Sequence, residues 1–301
     1  MASPIFTPVI LSPVFPEFTG FDHIGSGSYK SVYRVTAKQN NTVEVLKVVC
    51  LPAKGQPEQD DIYEQELGRI QRETTILGKC NSPYVVKLGS LAPQIVNIDG
   101  HACFAYTEEL LEGITLNNLI FANNQSGRKP SEEEVKKLLF CLISAVQNFW
   151  EQLRVVHRDI KPSNIFATKN PERPYVLFDL GIAYDVTAPG LTVRKTDIPH
   201  TPLYVAPEIL NANFRDTISY RSDLYSAALS TYEFAASVHP LRKIGDDLQK
   251  THTRVLKQEP APLETQHPNV SIPLCRLIDQ LLKKSPALRP ANMSLLLNQL
   301  R

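Results

Sequence analysis

The stretch His157-Arg158-Asp159-Ile160-Lys161-Pro162-Ser163-Asn164 gathers an imidazole, a guanidinium, a carboxylate, an ammonium and a side-chain amide into one short segment. A buried helix leads into it. Ser131 and Glu134 make a capping box, S-x-x-E, at the start of that helix. Behind the box, Val135, Leu138, Leu139, Leu142, Val146 and Phe149 recur at helical spacing, which predicts a helix to about Leu153. Downstream, the apolar run Tyr175-Val176-Leu177-Phe178 delivers Asp179-Leu180-Gly181, and Ala206-Pro207-Glu208 follows. Each tripeptide alone is a weak signal. Their order and spacing together make chance a poor explanation.

Around this centre the composition is that of a globular chain. The 301 residues are 43% hydrophobic and 21% charged, which argues against disorder. The length gives a prior of about two domains. With 32 Lys+Arg against 31 Asp+Glu the net charge is +1, so no global field draws the chain to nucleic acid or anionic membrane. No run approaches the ~18 apolar residues of a membrane span. Met1 to Pro16 is apolar but broken by Pro4, Pro8, Pro13 and Pro16, with no basic start, so no signal peptide is expected. The cysteines, Cys50, Cys80, Cys103, Cys141 and Cys275, form no CxxC. They read as reduced thiols of a cytoplasmic protein, with no zinc site.

The first sixteen residues read as an extended, Pro-rich arm. From Phe18 to Leu110 the chain is strand-like: Val43–Cys50 is a β-branched run, and Val85–Leu88 and Ala102–Tyr106 read as further strands. Pro52 to Asp61 reads as a loop. Glu64 to Leu77 has helical spacing and meets Gly78, a C-cap signal. After Gly113 the pattern turns helical, with further helices expected at Asp223–Ala235, Pro273–Lys284 and Ala291–Leu300. A strand-rich front and a helix-rich back predict an α+β fold in two lobes. The expected division is an arm at 1–17, a small lobe at 18–110 and a large lobe at 111–301.

The order H-R-D-x-K-x-x-N, D-x-G, A-P-E resembles the protein kinase family, and the resemblance extends from about Phe18 to Arg301. It implies a bilobal kinase fold, ATP and Mg²⁺ as cofactors, and protein substrates bearing Ser or Thr hydroxyls. Phosphoryl transfer passes through a loose transition state, so the protein's task is positioning and charge neutralisation. The resemblance gives Asp159 the substrate hydroxyl, Lys161 the γ-phosphate, and Asn164 and Asp179 the metal. Two oxygen ligands from separate loops suit Mg²⁺.

Upstream, Ile24-Gly25-Ser26-Gly27-Ser28-Tyr29-Lys30-Ser31-Val32 resembles the family's glycine-rich loop, which marks Ile24, Gly25, Gly27 and Val32 as nucleotide-binding. The third glycine is replaced by Lys30. Val45-Leu46-Lys47 stands where the family has A-x-K, which gives Lys47 the α/β-phosphates. Among Glu64, Glu66 and Glu73, only Glu73 precedes a Thr-Thr-Ile-Leu run like the end of the family's small-lobe helix, so Glu73 is its expected carboxylate partner. The Ser-Tyr-Lys-Ser-Val run also resembles the with-no-lysine kinases, in which the phosphate lysine sits in the glycine loop. With Lys47 present, Lys30 is auxiliary or solvated on this reading.

Lys161 and the Thr201-Pro202-Leu203-Tyr204 run resemble Ser/Thr kinases, with Thr201 bonding Asp159 and Lys161, although His200 stands where glycine is usual. Glu208 with Arg289, and Asp223 beneath the catalytic loop, resemble the family's buried supports. His157, Leu180 and Leu77 resemble its hydrophobic spine. Glu109 is expected in the adenine hinge. The gatekeeper before it is Thr107 or Glu108; because an unpaired buried Glu is costly, Thr107 is preferred. The segment from Asp179 to Glu208 carries Thr192 and Thr196 as candidates for autophosphorylation opposite Arg158, with Asp197 a built-in substitute. A pseudokinase acting as an interaction module is the alternative.

Overall fold

Val43–Cys50 becomes strand β3, and the other strands of one antiparallel sheet assemble around it. The computed structural model describes residues 4–27, 30–53, 55, 57–187, 201–211, 213–267 and 269–301. Ser28 and Tyr29, and with them Thr192, Thr196, Asp197 and His200, lie outside the described residues. The chain forms two units, Met1–Lys79 with Val86–Leu111, and Cys80–Val85 with Glu112–Arg301.

The first unit begins with helix α1 (Pro8–Val14) and strands β1 (Phe18–Ser26) and β2 (Lys30–Ala37) before β3 (Val43–Cys50). Helix α2 (Pro57–Lys79) follows, then β4 (Gln94–Ile98) and β5 (His101–Glu109). The sheet order is β1-β2-β3-β5-β4. Val32 lies opposite Lys47, and Lys47 opposite Tyr106. Directly opposed residues share a face, as do residues two apart. Lys30, Val32, Lys47, Phe104, Tyr106 and Glu108 therefore point one way, and Tyr33, Leu46, Val48, Cys103, Ala105 and Thr107 the other.

Each face has its own cover. Phe6, Leu11 and Phe15 pack with Tyr33, Val35, Leu46 and Val48. On the opposite face Tyr63 and Ile70 of α2 pack with Val49, Phe104 and Tyr106. The N-terminal segment is thus not the expected extended arm but a short helix bound to the sheet. Pro8 falls in its first turn, where no amide is needed, and Leu11 and Phe15 are wholly buried. The Phe6 amide donates to the Tyr33 hydroxyl at 2.8 Å and the Ser31 hydroxyl to Pro4 O at 2.7 Å.

Three further expectations change. Helix α2 opens at Pro57, well ahead of Glu64, because proline is tolerated at a helix start, and it runs through Gly78 to Lys79. Val85–Leu88 makes only single bridges, Val85 to Leu177 and Leu88 to Glu108. Strand β4, not foreseen, pairs with β5 across Asp99-Gly100, both at positive φ (51° and 80°). Two such residues make the tight turn that suits a twisted hairpin. All five cysteines are free thiols, and Cys50 and Cys103 face each other across β3 and β5 with their sulfurs 3.3 Å apart.

The second unit contains β6 (Gly113–Thr115), α3 (Leu116–Ser126), α4 (Glu132–Asn148), β7 (Val155–Val156), β8 (Ile165–Thr168), β9 (Tyr175–Leu177) and β10 (Tyr184–Asp185). After these come α5 (Phe214–Thr217), α6 (Tyr220–Ala236), α7 (Leu248–Lys257), α8 (Ile272–Leu281) and α9 (Met293–Gln299). The capping box of α4 is present in full. Helix α6 is buried from Ser222 to Ala236 and packs against α4 and α8. A π-turn at Phe149–Leu153 ends α4, and Arg154, at φ 55°, turns the chain into β7. Strand β7 pairs with β10, and β8 pairs with β6 and β9. These short ladders pin both ends of the loops that carry residues 157–164 and 178–183. Among the described residues no helix is long and apolar enough to cross a membrane.

Candidate active site

Between β7 and β8 the chain makes a loop whose polar side chains bond to one another. Asp159 is its hub. Lys161 Nζ donates to Asp159 Oδ2 at 2.8 Å, and the Thr201 hydroxyl donates to Asp159 Oδ1 at 2.7 Å. Lys161 Nζ also donates to Thr201 Oγ1 at 2.8 Å, which closes a three-membered ring of contacts. Asn164 Nδ2 donates to the Asp159 carbonyl at 3.0 Å and to Oδ2 at 2.8 Å. With its amide nitrogen spent on Asp159, Asn164 turns its Oδ1 away from that carboxylate. The expected Thr201 bridge to Asp159 and Lys161 is therefore present atom by atom.

Asp179 reaches the same region by way of the β8–β9 hairpin. The Phe178 amide donates to Asn164 O at 3.0 Å, so Asp179 starts one residue beyond a backbone contact with Asn164. Asp179 itself sits at φ 65°, and its Oδ1 accepts the Gly181 amide at 3.2 Å. That conformation is uncommon for a residue with a side chain.

Beneath the loop lies Asp223, wholly buried in α6. Its Oδ2 accepts the His157 amide at 2.7 Å and its Oδ1 the Arg158 amide at 2.9 Å. Burial pushes this carboxyl up to about 7, held back by the two amides it accepts. The two bonds hold Arg158 at φ 67°, the second left-handed residue in the site. Arg158 Nε donates to Ile182 O at 2.8 Å and its guanidinium lies 5.5 Å from the Tyr184 ring centre, tying loop 157–164 to loop 178–183. Burial lowers the His157 imidazole to about 4, so it is neutral near pH 7 and its Nδ1 accepts the Asp159 amide at 3.2 Å.

Glu208 and Arg289 form the expected buried pair. Arg289 Nη1 meets Glu208 Oε1 at 2.7 Å and Nη2 meets Oε2 at 2.9 Å. The parallel geometry is the strong form of a guanidinium–carboxylate contact.

In the first unit, Lys47 is 5% exposed and faces two carboxylates. Its Nζ is 4.0 Å from Glu73 Oε1 and 2.5 Å from Glu108 Oε1. Glu73 is held by the Tyr106 hydroxyl at 3.1 Å, and Lys47 Nζ lies 5.5 Å from the centre of the same ring. The sequence reading supplied Glu73 and missed Glu108 as a partner. It preferred Thr107 to Glu108 as the gatekeeper because it left Glu108 without a partner; the structure puts Glu108, not Thr107, on the face of Lys47. Thr107 points to the other core, where its Oγ1 accepts the Leu91 amide at 2.9 Å. Glu108 is buried on the lysine's face, and its charge is paired. Opposite-charge pairing across β3 and β5 was the available signal, but using it required the register.

The remaining candidates lie as follows. Ile24 and Gly25 are on β1, Gly25 opposite Val32 on β2, and the Gly27 amide donates to Lys30 O at 2.7 Å. Lys30 lies opposite Val49, on the face that carries Lys47. Glu109 ends β5; its amide donates to Lys87 O at 3.0 Å and its carboxylate accepts the Lys87 amide at 2.9 Å.

A family model described as the protein kinase domain matches residues 18–300. The chain is 26% identical over 273 residues to the human (Homo sapiens) serine/threonine-protein kinase Nek11, covering 91% of this chain and 38% of that protein. It is 28% identical over 229 residues to the MAP kinase kinase PBS2 of Saccharomyces cerevisiae, covering 74% and 31%. It is 27% identical over 267 residues to the serine/threonine-protein kinase fused of Drosophila melanogaster, covering 88% and 29%. The chain thus spans between 29% and 38% of the length of these relatives.

Proposed function

The chain belongs to the protein kinase domain family, and from that premise we propose that it transfers the γ-phosphate of ATP to serine and threonine hydroxyls of protein substrates. The observation that carries the reading is the closed set of bonds among Asp159, Lys161, Asn164 and Thr201. It is the arrangement phosphoryl transfer needs: a carboxylate to orient the incoming hydroxyl and take its proton, with a lysine beside it to meet the charge of the moving phosphoryl. Thr201 holds both in register. The substrate hydroxyl would replace the Thr201 hydroxyl or share Asp159 with it. Asp223 preorganises the loop by holding two of its amides, so little reorganisation remains for the moment of transfer.

Mg²⁺ fits the residues present. Asn164 is oriented by its own amide bonds with its oxygen away from Asp159, and Asp179 adds a carboxylate from the adjoining loop. Two oxygen donors completed by phosphate and water suit Mg²⁺ rather than a metal needing an all-protein cage. Bound there, the ion would neutralise phosphate charge. Lys47, with Glu73 as its carboxylate partner, would meet the α/β-phosphates, and Glu109 would lie at the adenine.

Transfer of labelled γ-phosphate from ATP to generic protein substrates, wild type beside Asp159→Asn, tests the reading. Label on serine and threonine that disappears in Asp159→Asn supports it. Nucleotide binding without transfer would favour the interaction-module alternative. Autophosphorylation at Thr196 or Thr192 belongs to the same proposal, and phosphopeptide mass spectrometry after incubation with Mg-ATP reads it. An active enzyme with no modified residue between Asp185 and Thr201 would exclude that part.

A further inference from the structure

Lys47 carries one positive charge, and two carboxylates face it in a space with little water. The side chains of Lys47, Glu73 and Glu108 are 6%, 7% and 5% exposed. With all three ionised the formal sum is −1. The shorter contact, 2.5 Å, goes to Glu108, while Glu73 stands at 4.0 Å with its Oε1 on the Tyr106 hydroxyl. The strand register explains the pairing. Lys47 lies opposite Tyr106, so Glu108, two residues along β5, shares the lysine's face, and the side chain reaches back across one position.

Nothing in the packing of the sheet requires an acid at this place. The neighbours of Glu108 on its own face are Val45, directly opposite on β3, and Tyr106, and the core on the other face is filled by Leu11, Phe15, Leu46, Val48 and Ala105. A buried ion pair is weak evidence for stability, since hydrophobic residues of similar volume often serve as well. Its effect on an incoming anion is direct. A phosphate brought to Lys47 needs the ammonium's protons and its field, and Glu108 holds the former at close range and cancels the latter. Glu73 alone would leave the pair neutral; with Glu108 added, the cluster opposes a polyanion.

We propose that Glu108 is a positioning residue that competes with the phosphates of ATP for the Lys47 ammonium and thereby sets the chain's nucleotide affinity. This rests on the assignment of Lys47 to the phosphates and adds the residue that governs it. Three consequences separate it from a structural role. Removing the charge of Glu108 should tighten nucleotide binding rather than weaken it. Keeping the charge should keep the wild-type affinity. The gain should vanish when Lys47 is absent, because the effect acts through the lysine.

The test is calorimetric titration of MgATP into the full chain, with KM for ATP measured alongside. Glu108→Gln is expected to bind about tenfold tighter, the order of magnitude for removing one nearby charge from a partly screened site. Glu108→Met, an apolar side chain of similar length, should show the same gain, which guards against a folding defect in either variant. Glu108→Asp should remain near wild type. In a Lys47→Met background, Glu108→Gln should give no gain. If Glu108→Gln and Glu108→Met bind MgATP as wild type does, or more weakly, the inference is overturned and the kinase reading stands. A gain that persists without Lys47 also overturns it. If neither wild type nor any variant binds MgATP, the kinase reading falls and this inference with it.

Discussion

Arg289 offers the sharpest test of what holds the second unit together. A guanidinium has five N–H donors in a fixed plane, and here every one is used. Nε donates to Lys283 O at 2.8 Å. Nη1 serves Glu208 Oε1 at 2.7 Å and Arg221 O at 2.8 Å. Nη2 serves Glu208 Oε2 at 2.9 Å and Lys284 O at 3.1 Å. The guanidinium also lies 4.8 Å from the Tyr225 ring centre and is 2% exposed as a residue. In Arg289→Met, Glu208 keeps the Ser222 hydroxyl (2.7 Å) but loses its counter-charge while still buried. That situation costs about 3–5 kcal/mol. Arg289→Lys restores the charge but brings three donors to five acceptors, so at least two go unserved, at about 1–1.5 kcal/mol each. Because the pair acts as a unit, Glu208→Leu combined with Arg289→Met should cost less than the two singles added, by roughly 2 kcal/mol or more. Denaturant unfolding followed by fluorescence reads this unit selectively, since the chain's single tryptophan, Trp150, lies in it against Tyr220. An Arg289→Lys protein within about 0.5 kcal/mol of wild type, or a strictly additive double variant, would refute the reasoning.

Two further outcomes follow from buried groups. Burial lowers His239 to about 3. Below pH 6.5 the unfolded chain takes up this proton and the folded chain does not, so its contribution to stability falls as pH drops from about 6.5 toward 3. His239→Asn, whose amide oxygen can accept the Leu241 amide as Nδ1 now does at 3.1 Å, should reduce the loss between pH 7 and pH 5 by about 2 kcal/mol; equal losses in both proteins would contradict this. Leu11 is wholly buried between α1 and the sheet. Leu11→Ala should destabilise the first unit by about 2–5 kcal/mol, seen as faster hydrogen exchange of β2 amides, and unchanged exchange would mean that α1 is not part of that core.

The legibility of these features in the sequence tracks how far apart their partners lie. Residues 157–164 are covalent neighbours, so a motif conveys their identities and much of their geometry. Asp179 is joined to them by a hairpin whose apolar run was readable. Thr201, Asp223, Glu208 and Arg289 are distant, yet each came with a short signature of its own. The failures have local causes. The N-terminal prolines suggested an extended arm, but Pro8 sits where a helix accepts proline and Leu11 and Phe15 are drawn to an apolar sheet. Helix α2 begins ahead of its expected start for the same reason, since Pro57 reads as loop in the sequence and is accepted at a helix start. Strand β4 is short and largely exposed at the sheet edge, with Ile95 and Val96 adjacent rather than alternating, so its residues give little period-2 pattern; its Asp99-Gly100 turn is the usable signal.

Glu108 was hidden for a different reason. The rule applied to it, that an unpaired buried carboxylate is costly, is sound, but it is conditional on the absence of a partner. The partner was in plain view in the sequence as Lys47. What the sequence withheld was the register between β3 and β5, and a slip of one residue would have sent Glu108 to the opposite face and Thr107 to the lysine. Composition and motif cannot distinguish these two arrangements, because the same residues occur in both. The register is fixed by the whole face at once: Leu46, Val48, Cys103 and Ala105 must meet α1's apolar residues while Val49, Phe104 and Tyr106 meet α2. The charge beside Lys47 is therefore decided by the apolar packing of both faces of the sheet. On the proposal that Glu108 sets nucleotide affinity, a substitution that shifted that packing would alter the affinity without touching any residue of the glycine-rich run or the Asp159 loop.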